Sequence, residues 1–295
     1  MLVRRRPLAE KTKSPKEGSP TMKFRTSVAL ALSSLFVASA AIAAAQATPP
    51  APPKVLVIQR EYLKPGKAGA IHASSEANFV RAATDAKWPT HYIAMDSMSG
   101  PTRALYMFGY DSFGAWGKDQ EATAKNADYA AAVDQASLTD GELLTRYDTH
   151  VYSYHPEMSL HATADISKAR YWQLQSFHVK PGHDKDWSDL VKIYTDGFAG
   201  MPAANWAAYE SQFDENNGGV WLVITPMKTL DEVDSAMGDG AKFWTGLSPA
   251  NQKRVGDLAA ACIESSQRNV FVVNPKESYE DPAWVTSAPE IWAQH

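Results

Sequence analysis

The chain has 295 residues, of which 44% are hydrophobic and 11% aromatic, so it carries enough apolar side chains for a sizeable core and is neither disordered nor fibrous. Residues 46–295 hold 21 Lys and Arg against 31 Asp and Glu, and no basic face interleaved with aromatic residues is visible. A negative chain of this kind argues against binding to nucleic acid or to an anionic membrane surface. The single cysteine, Cys262, excludes an intramolecular disulfide and cysteine-rich metal sites, and its apolar neighbours predict a small buried residue.

The first 45 residues have the composition of a targeting segment. A basic start at 22–25 precedes a short apolar run from Ser27 to Ala43, which is typical of a secretory signal peptide. Small residues predict cleavage near Ala45 or Ala47, and therefore a periplasmic or secreted protein. The residues before Met22 fit no structural element and indicate an over-extended start. No later run is apolar over about 18 residues, so we expect no membrane span in the mature chain.

An internal repeat organises the remainder. The turn Lys64-Pro65-Gly66 recurs at 180–182, an offset of 116 residues. An apolar strand at 104–108 recurs at 220–224, and the segment 150–159 recurs at 269–278. Anchors in the same order at nearly constant offset predict two copies of one unit.

Each copy reads as β-α-β-β-α-β. A strand ends at Lys-Pro-Gly, and a helix follows whose apolar face in the second copy is Trp187, Leu190, Val191 and Tyr194. Two strands come next, then a second helix from Ser112 or Thr229, and last a closing strand at 149–154 or 269–273. This is the ferredoxin-like order, so we predict an α+β fold of two tandem ferredoxin-like units.

The predicted organisation follows from these elements. It comprises an upstream segment and signal peptide (1–45), a Pro-rich lead (46–53), the first repeat (54–160), a linker (161–169), the second repeat (170–278) and a C-terminal tail (279–295). The element order, the Lys-Pro-Gly turn and the duplication resemble the dimeric α/β-barrel superfamily, which includes NIPSNAP, antibiotic-biosynthesis-monooxygenase and chlorite-dismutase-like folds. The resemblance implies a barrel over residues 54–278. Because these families include cofactor-free oxygenases, isomerases and haem proteins, it does not select a reaction.

A comparison of the two copies places the candidate pocket in the first. At an offset of 116 residues, the apolar face of the second copy's helix falls on Ile71, Ser74, Ser75 and Asn78. The polar side chains of Ser74, Ser75 and Asn78, with His72 nearby, predict a ligand pocket. Alternatively, this helix uses Ile71 and Phe79 as its core face.

The first strand adds Gln59, Arg60, Glu61 and Tyr62, which alternate between its two faces. An inward Glu61 would have a raised pKa and serve as an acid or base, although it aligns with Phe177 and a rim ion pair is the alternative. The predicted catalytic residues are Glu61 and His72, and the predicted ligand-binding residues are Gln59, Tyr62, Ser74, Ser75 and Asn78.

We expect no metal and no cofactor. None of the eight histidines forms a His-x-x-x-His pair, and no spacing supports a metal shared by His91, His150 and His178 on predicted strands. The family resemblance implies a helix-borne axial ligand for haem, and His72 is the candidate here. Covalent haem is excluded because no Cys-x-x-Cys-His occurs.

Three functional hypotheses remain open. The leading one is an exported protein that binds a small, partly apolar molecule in the first repeat and acts as a cofactor-independent oxygenase or isomerase. The second is a non-enzymatic scaffold whose tail, with Trp284 and Trp292, docks a partner or a second copy in a homo-oligomer. The third is haem binding through His72.

Overall fold

The structure is a computed structural model, and it describes residues 51–163, 165–213 and 219–293. The predicted upstream segment, signal peptide and cleavage sites lie outside the described residues. The strands are β1 (Val55–Leu63), β2 (Tyr92–Ser97), β3 (Arg103–Tyr110), β4 (Leu144–Tyr154), β5 (Tyr171–Val179), β6 (Ala207–Ser211), β7 (Val220–Met227) and β8 (Ile263–Val273). The helices are α1 (Ala70–Ala86), α2 (Phe113–Lys125), α3 (Ala127–Gly141), α4 (Asp184–Phe198), α5 (Asp231–Gly246), α6 (Pro249–Cys262), α7 (Pro282–Ser287) and α8 (Pro289–Trp292), with 3-10 turns at Pro156–Met158 and Pro275–Glu277.

The second helix of each repeat is divided in two, which corrects the single long helix predicted from the sequence. In the first repeat, the Asn126 side chain accepts a hydrogen bond from the Tyr129 backbone N–H and so begins α3. In the second repeat, the Ser248 hydroxyl accepts from the Asn251 N–H, and Pro249 occupies the first position of α6. Both are strong helix starts, so each stretch folds as two helices.

The closing strands are also longer than predicted. β4 begins at Leu144 and β8 at Ile263, several residues before the apolar segments that marked them in the sequence. Their first halves are exposed and polar, but each pairs with the first strand of its own repeat along that strand's whole length. Backbone pairing extends these strands where side-chain burial does not.

The eight strands form one closed antiparallel barrel in the order β1-β3-β2-β8-β5-β7-β6-β4. Each repeat contributes four strands, and the repeats join through the pairs β2–β8 and β4–β6. The predicted architecture of two ferredoxin-like units is therefore confirmed. Within the described residues, no helix is both long enough and apolar enough to cross a bilayer.

The barrel has an apolar core in its lumen and a helix layer outside each half. Leu56, Ile58 and Leu105 are among the lumen residues. Helices α1 and α3 pack together outside the first repeat, and α4 and α6 outside the second. The 3-10 turn 275–277, which ends the second repeat, packs on α1, while the turn 156–158 packs on α4. Each repeat thus completes the helix layer of the other.

The C-terminal tail packs on its own barrel. Trp292 is buried in the lumen core and donates a hydrogen bond from Nε1 to the Ser167 carbonyl at 2.7 Å. Trp284 packs beside it, with ring centroids 5.4 Å apart. The two tail tryptophans therefore have an intramolecular role.

Candidate metal centre

A group of ionisable side chains is buried between the first repeat's sheet and its helices. Along β1, Val55 and Val57 pack towards α2, so the alternation of side chains turns Glu61 to the same, helix-facing side. The buried face of α1 presents His72, Ser75 and Glu76 towards it. Asp140 arrives from α3 and Glu277 from the turn 275–277, so the site draws on both repeats.

The position of His72 corrects the sequence comparison by one residue. The buried residues of α1 at 72, 75 and 76 have the same spacing as Trp187, Leu190 and Val191 on and beside the buried face of α4. The first repeat has one more residue than the second between the Lys-Pro-Gly turn and this buried face, since His72 is six residues after Gly66 and Trp187 five after Gly182. His72 is therefore the counterpart of Trp187, and Ile71 is exposed.

The imidazole of His72 lies between two sets of carboxylates. Its Nε2 atom is 3.2 Å from Glu61 Oε2, 3.8 Å from Asp140 Oδ1 and 4.0 Å from Glu76 Oε1. Its Nδ1 atom is 3.3 Å from Glu277 Oε1 on the opposite side of the ring. All five residues are at most 6% exposed, so this is a charged cluster within the protein interior.

Burial dominates the electrostatics of the cluster. It raises the pKa of Glu61 and Glu277, although His72 partly offsets the effect for each. It raises the pKa of Glu76 strongly, and the neighbouring Glu61 and Asp140 carboxylates add to the rise. Burial lowers the pKa of His72, but the adjacent Glu277 and Glu61 carboxylates outweigh it and raise that pKa to about 11. Four carboxyl groups thus surround one imidazolium, and the raised pKa values of Glu61, Glu76 and Glu277 reflect burial with too little positive charge nearby.

Several polar atoms in this region are buried without a hydrogen-bond partner. They include His72 Nδ1, the Ser75 hydroxyl and the Tyr106 hydroxyl, in addition to oxygens of Glu76, Asp140 and Glu277. The buried Tyr106 is close to the cluster. Burial raises its pKa, and the Glu76, Glu61 and Glu277 carboxylates add to the rise. Unpartnered polar atoms in the interior are costly and rare. Their concentration at one place indicates that the site accommodates a further polar or charged group.

The donor set is suited to a divalent cation. One ligand atom from each of Glu61, His72, Glu76 and Asp140 lies within 4.8 Å of all the others. Three carboxylates and an imidazole are donors that hold first-row divalent ions. Glu277, opposite on Nδ1, can accept the remaining ring proton and so direct Nε2 at an ion, as outer carboxylates do for metal-bound histidines.

The other predicted site residues are more dispersed. Gln59 is half-buried on the same face of β1 as Glu61, whereas Tyr62 faces the lumen beneath two arginine side chains. Ser74 is exposed, and Asn78 is half-buried and donates to the Ser75 carbonyl. Only Glu61, His72 and Ser75 of the predicted set therefore meet at the centre.

Glu76, Asp140 and Glu277 were not identified from the sequence. Glu76 is four residues after His72, a spacing that places both on one helix face and was available as a signal. Asp140 and Glu277 are separated from His72 by 68 and 205 positions along the chain, and no local pattern marks them. Only the packing of α3 and of the turn 275–277 against α1 brings them in.

Haem does not fit this centre. Both ring nitrogens of His72 contact carboxylates, and the ring is fully buried among them. An axial ligand requires one nitrogen to face a porphyrin-sized space, and here acidic side chains occupy those directions. We therefore derive no chemistry from haem.

Comparison with known proteins identifies the fold. No protein-family model and no curated protein sequence matches the chain. Among solved structures, an anthrone oxidase-like protein matches 77% of this chain and 94% of its own, with a TM-score of 0.50 and 13% identity. The fold is the dimeric α/β barrel.

Two further solved structures are similar to the chain at lower TM-scores. A mutant chlorite dismutase from Candidatus Nitrospira defluvii covers 76% of this chain and 93% of its own, with a TM-score of 0.46 and 7% identity. A dye-decolorizing peroxidase from Bacteroides thetaiotaomicron covers 77% and 95%, with a TM-score of 0.42 and 7% identity. At these identities similarity to solved structures carries no reaction over to this chain.

Proposed function

We propose that the first repeat binds one divalent metal ion through Glu61, His72, Glu76 and Asp140. The observation that carries the proposal is the shortage of positive charge in a fully buried cluster with unpartnered donor atoms. A divalent cation would balance two of the carboxylates and satisfy oxygens that the chain leaves without partners. This departs from the expectation of a protein without metal.

The mixed donor set favours Mn²⁺ or Fe²⁺. Carboxylates suit Mg²⁺, Ca²⁺ and Mn²⁺, whereas imidazole suits iron, zinc and copper, so manganese and iron lie where the preferences overlap. A bound ion of this kind supplies Lewis-acid or redox chemistry. The leading hypothesis from the sequence then becomes a metal-dependent oxygenase or isomerase, in which Glu277 orients the ligand His72.

Metal content and unfolding test this proposal. The chain is purified from cells grown with manganese and iron, its metal is quantified, and it is then stripped with a chelator and titrated with single ions. We expect about one ion per chain, and at about a hundredfold excess over Kd a stabilisation of about 2.7 kcal/mol. Glu76→Gln and Asp140→Asn should each abolish most of the binding because each removes a charged ligand.

A surface site provides the matched control. His155 lies 2.7 Å from Glu157 and 3.1 Å from Glu210, so it combines the same residue types in a partly exposed setting. His155→Gln should leave the metal content unchanged. A native chain that contains no metal and shows no unfolding shift with any ion would overturn the proposal and leave His72 as a purely internal counter-ion.

The small, partly apolar ligand expected from the sequence is better supported at the barrel lumen than at α1. A cavity of about 610 Å³ opens at one barrel end, and its lining includes Leu56, Met107, Trp172 and Trp284. This is the second candidate function. We expect uncharged 1-naphthol to quench tryptophan fluorescence saturably, and Trp284→Ala to weaken that binding. Trp244→Ala, on exposed α5, is the control, and equal quenching in both variants would contradict a lumen site.

Export stays part of the proposal. It is supported by the basic and apolar segments before Ala45, which lie outside the described residues. N-terminal sequencing of the protein recovered from the producing cells tests it. A mature start near Gln46 is expected, and a full-length cytoplasmic product would contradict export.

A further inference from the structure

The barrel lumen changes character along its length. Leu56 and Ile58 belong to its apolar core, so the alternation of β1 also turns Arg60 and Tyr62 into the lumen. By the same alternation, Arg103 shares the face of Leu105 on β3, while Arg146 and Asp148 share the face of Tyr152 on β4. The end of the barrel at which β1 finishes therefore holds three arginines, Arg60, Arg103 and Arg146, which we call the arginine mouth.

The three guanidinium groups are crowded around Tyr62 and Asp148. The guanidinium carbon of Arg146 is 4.0 Å from the Tyr62 ring centroid, and that of Arg103 is 5.7 Å from it. Arg103 also lies 5.1 Å from the ring of Phe271 and donates to Asn269 Oδ1 at 2.8 Å. The rings fix the planes of these groups from one side, because a guanidinium stacks on an aromatic face.

One carboxylate serves more than one of these arginines. Asp148 pairs with Arg60, and its Oδ2 atom is 3.3 Å from Arg146 Nε. Arg103 takes no part in these pairs, and its Nε atom is buried without a hydrogen-bond partner. With three guanidinium charges against the carboxylate of Asp148, the group has a formal charge of plus two.

This excess charge is held in a partly desolvated place. Burial lowers the pKa of Arg103, and repulsion from Arg60 and Arg146 lowers it further. Guanidinium groups nevertheless remain charged in proteins, so the repulsion and the unused donor persist in the native state. An anion that accepts a hydrogen bond from the unpartnered Arg103 Nε would offset this repulsion.

We propose that the arginine mouth binds a small oxyanion that carries at least two negative charges, either a phosphate or a compact dicarboxylate. Two charges match the excess of the three arginines over Asp148, and planar forks favour bidentate contacts with such oxygens. This site is independent of the metal centre, because the arginines face the lumen whereas Glu61 faces the helices.

Calorimetric titration of the full chain, in a zwitterionic buffer without phosphate, tests the proposal. The probes are inorganic phosphate, malonate and acetate at constant ionic strength. We expect one site for phosphate or malonate, and affinity for acetate at least about tenfold weaker because it carries a single charge. The better of the two dianions then identifies the source of the oxyanion.

Two variants locate the site. Arg103→Gln should weaken the binding of the preferred dianion by at least about tenfold. Arg103→Lys keeps the charge but loses the planar guanidinium, so its affinity should lie between those of Arg103→Gln and the native chain. The control is Arg268→Gln, since Arg268 lies outside the barrel and bonds to Gln175. Equal affinity for all three anions, or unchanged binding in a folded Arg103→Gln, would overturn the proposal.

Discussion

The two repeats build the same backbone around opposite kinds of interior. The residues between sheet and helices in one repeat can be matched one by one to those of the other. The match uses the pairing of the strands, the buried positions of the helices and the third residue of each 3-10 turn. In the second repeat they form an apolar cluster, in which the ring centroid of Trp187 is 5.0 Å from that of Phe177 and 5.8 Å from that of Trp221. The aligned pairs are Glu61 and Phe177, His72 and Trp187, Ser75 and Leu190, Glu76 and Val191, Asp140 and Ala259, and Glu277 and Met158.

This difference shows that the fold does not require the polar interior. The second repeat achieves the same architecture with hydrophobic packing, and buried ionic groups are on average no more stabilising than apolar groups of similar volume. A cluster that includes His72 and Glu277 therefore adds little to folding that apolar residues would not supply. It is explained better by binding than by stability.

The largest expected effect on stability comes from replacing His72 or its counterpart Trp187, at the centres of the two interiors. His72→Ala removes the positive charge from the cluster and should lower the free energy of unfolding by about 3 to 5 kcal/mol. Trp187→Ala, in the aligned position, should cost a similar amount through the cavity it leaves, about 3 to 5 kcal/mol. Urea unfolding with and without Mn²⁺ distinguishes the causes, since only Trp187→Ala should keep the metal-dependent stabilisation. A metal shift of native size in His72→Ala would contradict the assignment.

The next prediction makes the first interior resemble the second in charge. The double variant Glu76→Gln and Asp140→Asn replaces two crowded, buried carboxyl groups with neutral amides and should stabilise the metal-free protein by about 1 to 3 kcal/mol. The control replaces the exposed Glu121 and Asp257 in the same way and should change stability by less than about 1 kcal/mol. Thermal unfolding after chelation measures both. A loss of stability in the buried double variant would show that these carboxylates are satisfied without an ion.

Glu277 tests whether the second repeat controls the centre in the first. Glu277→Gln should keep the metal but weaken its binding by about 10- to 100-fold, because the amide orients His72 less firmly. Met158→Leu, at the aligned position of the other turn, should leave the affinity unchanged. Competition with a fluorescent chelator gives both values, and native affinity in Glu277→Gln would mean that His72 is positioned by other contacts.

The smallest effect on stability is expected for an ion pair on the outer surface, away from the two interiors. Lys192 on α4 pairs with Asp196 at 3.0 Å, and both side chains are mostly exposed. Lys192→Ala should cost less than about 0.5 kcal/mol and leave metal binding unchanged. A larger loss of unfolding free energy in urea would show that exposed ion pairs also contribute to the stability of the repeats.

Much of the fold could be predicted from the sequence because its strands, turns and helices follow local sequence patterns. The Lys-Pro-Gly turns, the apolar strands and the amphipathic α4 each occupy a short window, and the duplication confirmed their order. The breaks at Asn126 and Ser248 were missed although both are helix-capping residues. The helix comparison was one residue out because a constant offset does not register an insertion in the loop before α1.

The sequence by itself determined two ferredoxin-like repeats, a buried Cys262 and the candidacy of Glu61 and His72, because strand alternation and helical periodicity are local properties. Only the tertiary structure decided that Glu76, Asp140 and Glu277 join them, and that Arg103 and Arg146 meet over Tyr62. Barrel closure and the exchange of 3-10 turns between repeats bring together residues that are distant in the chain. The charge balance of a site depends on such contacts, and no local pattern records them.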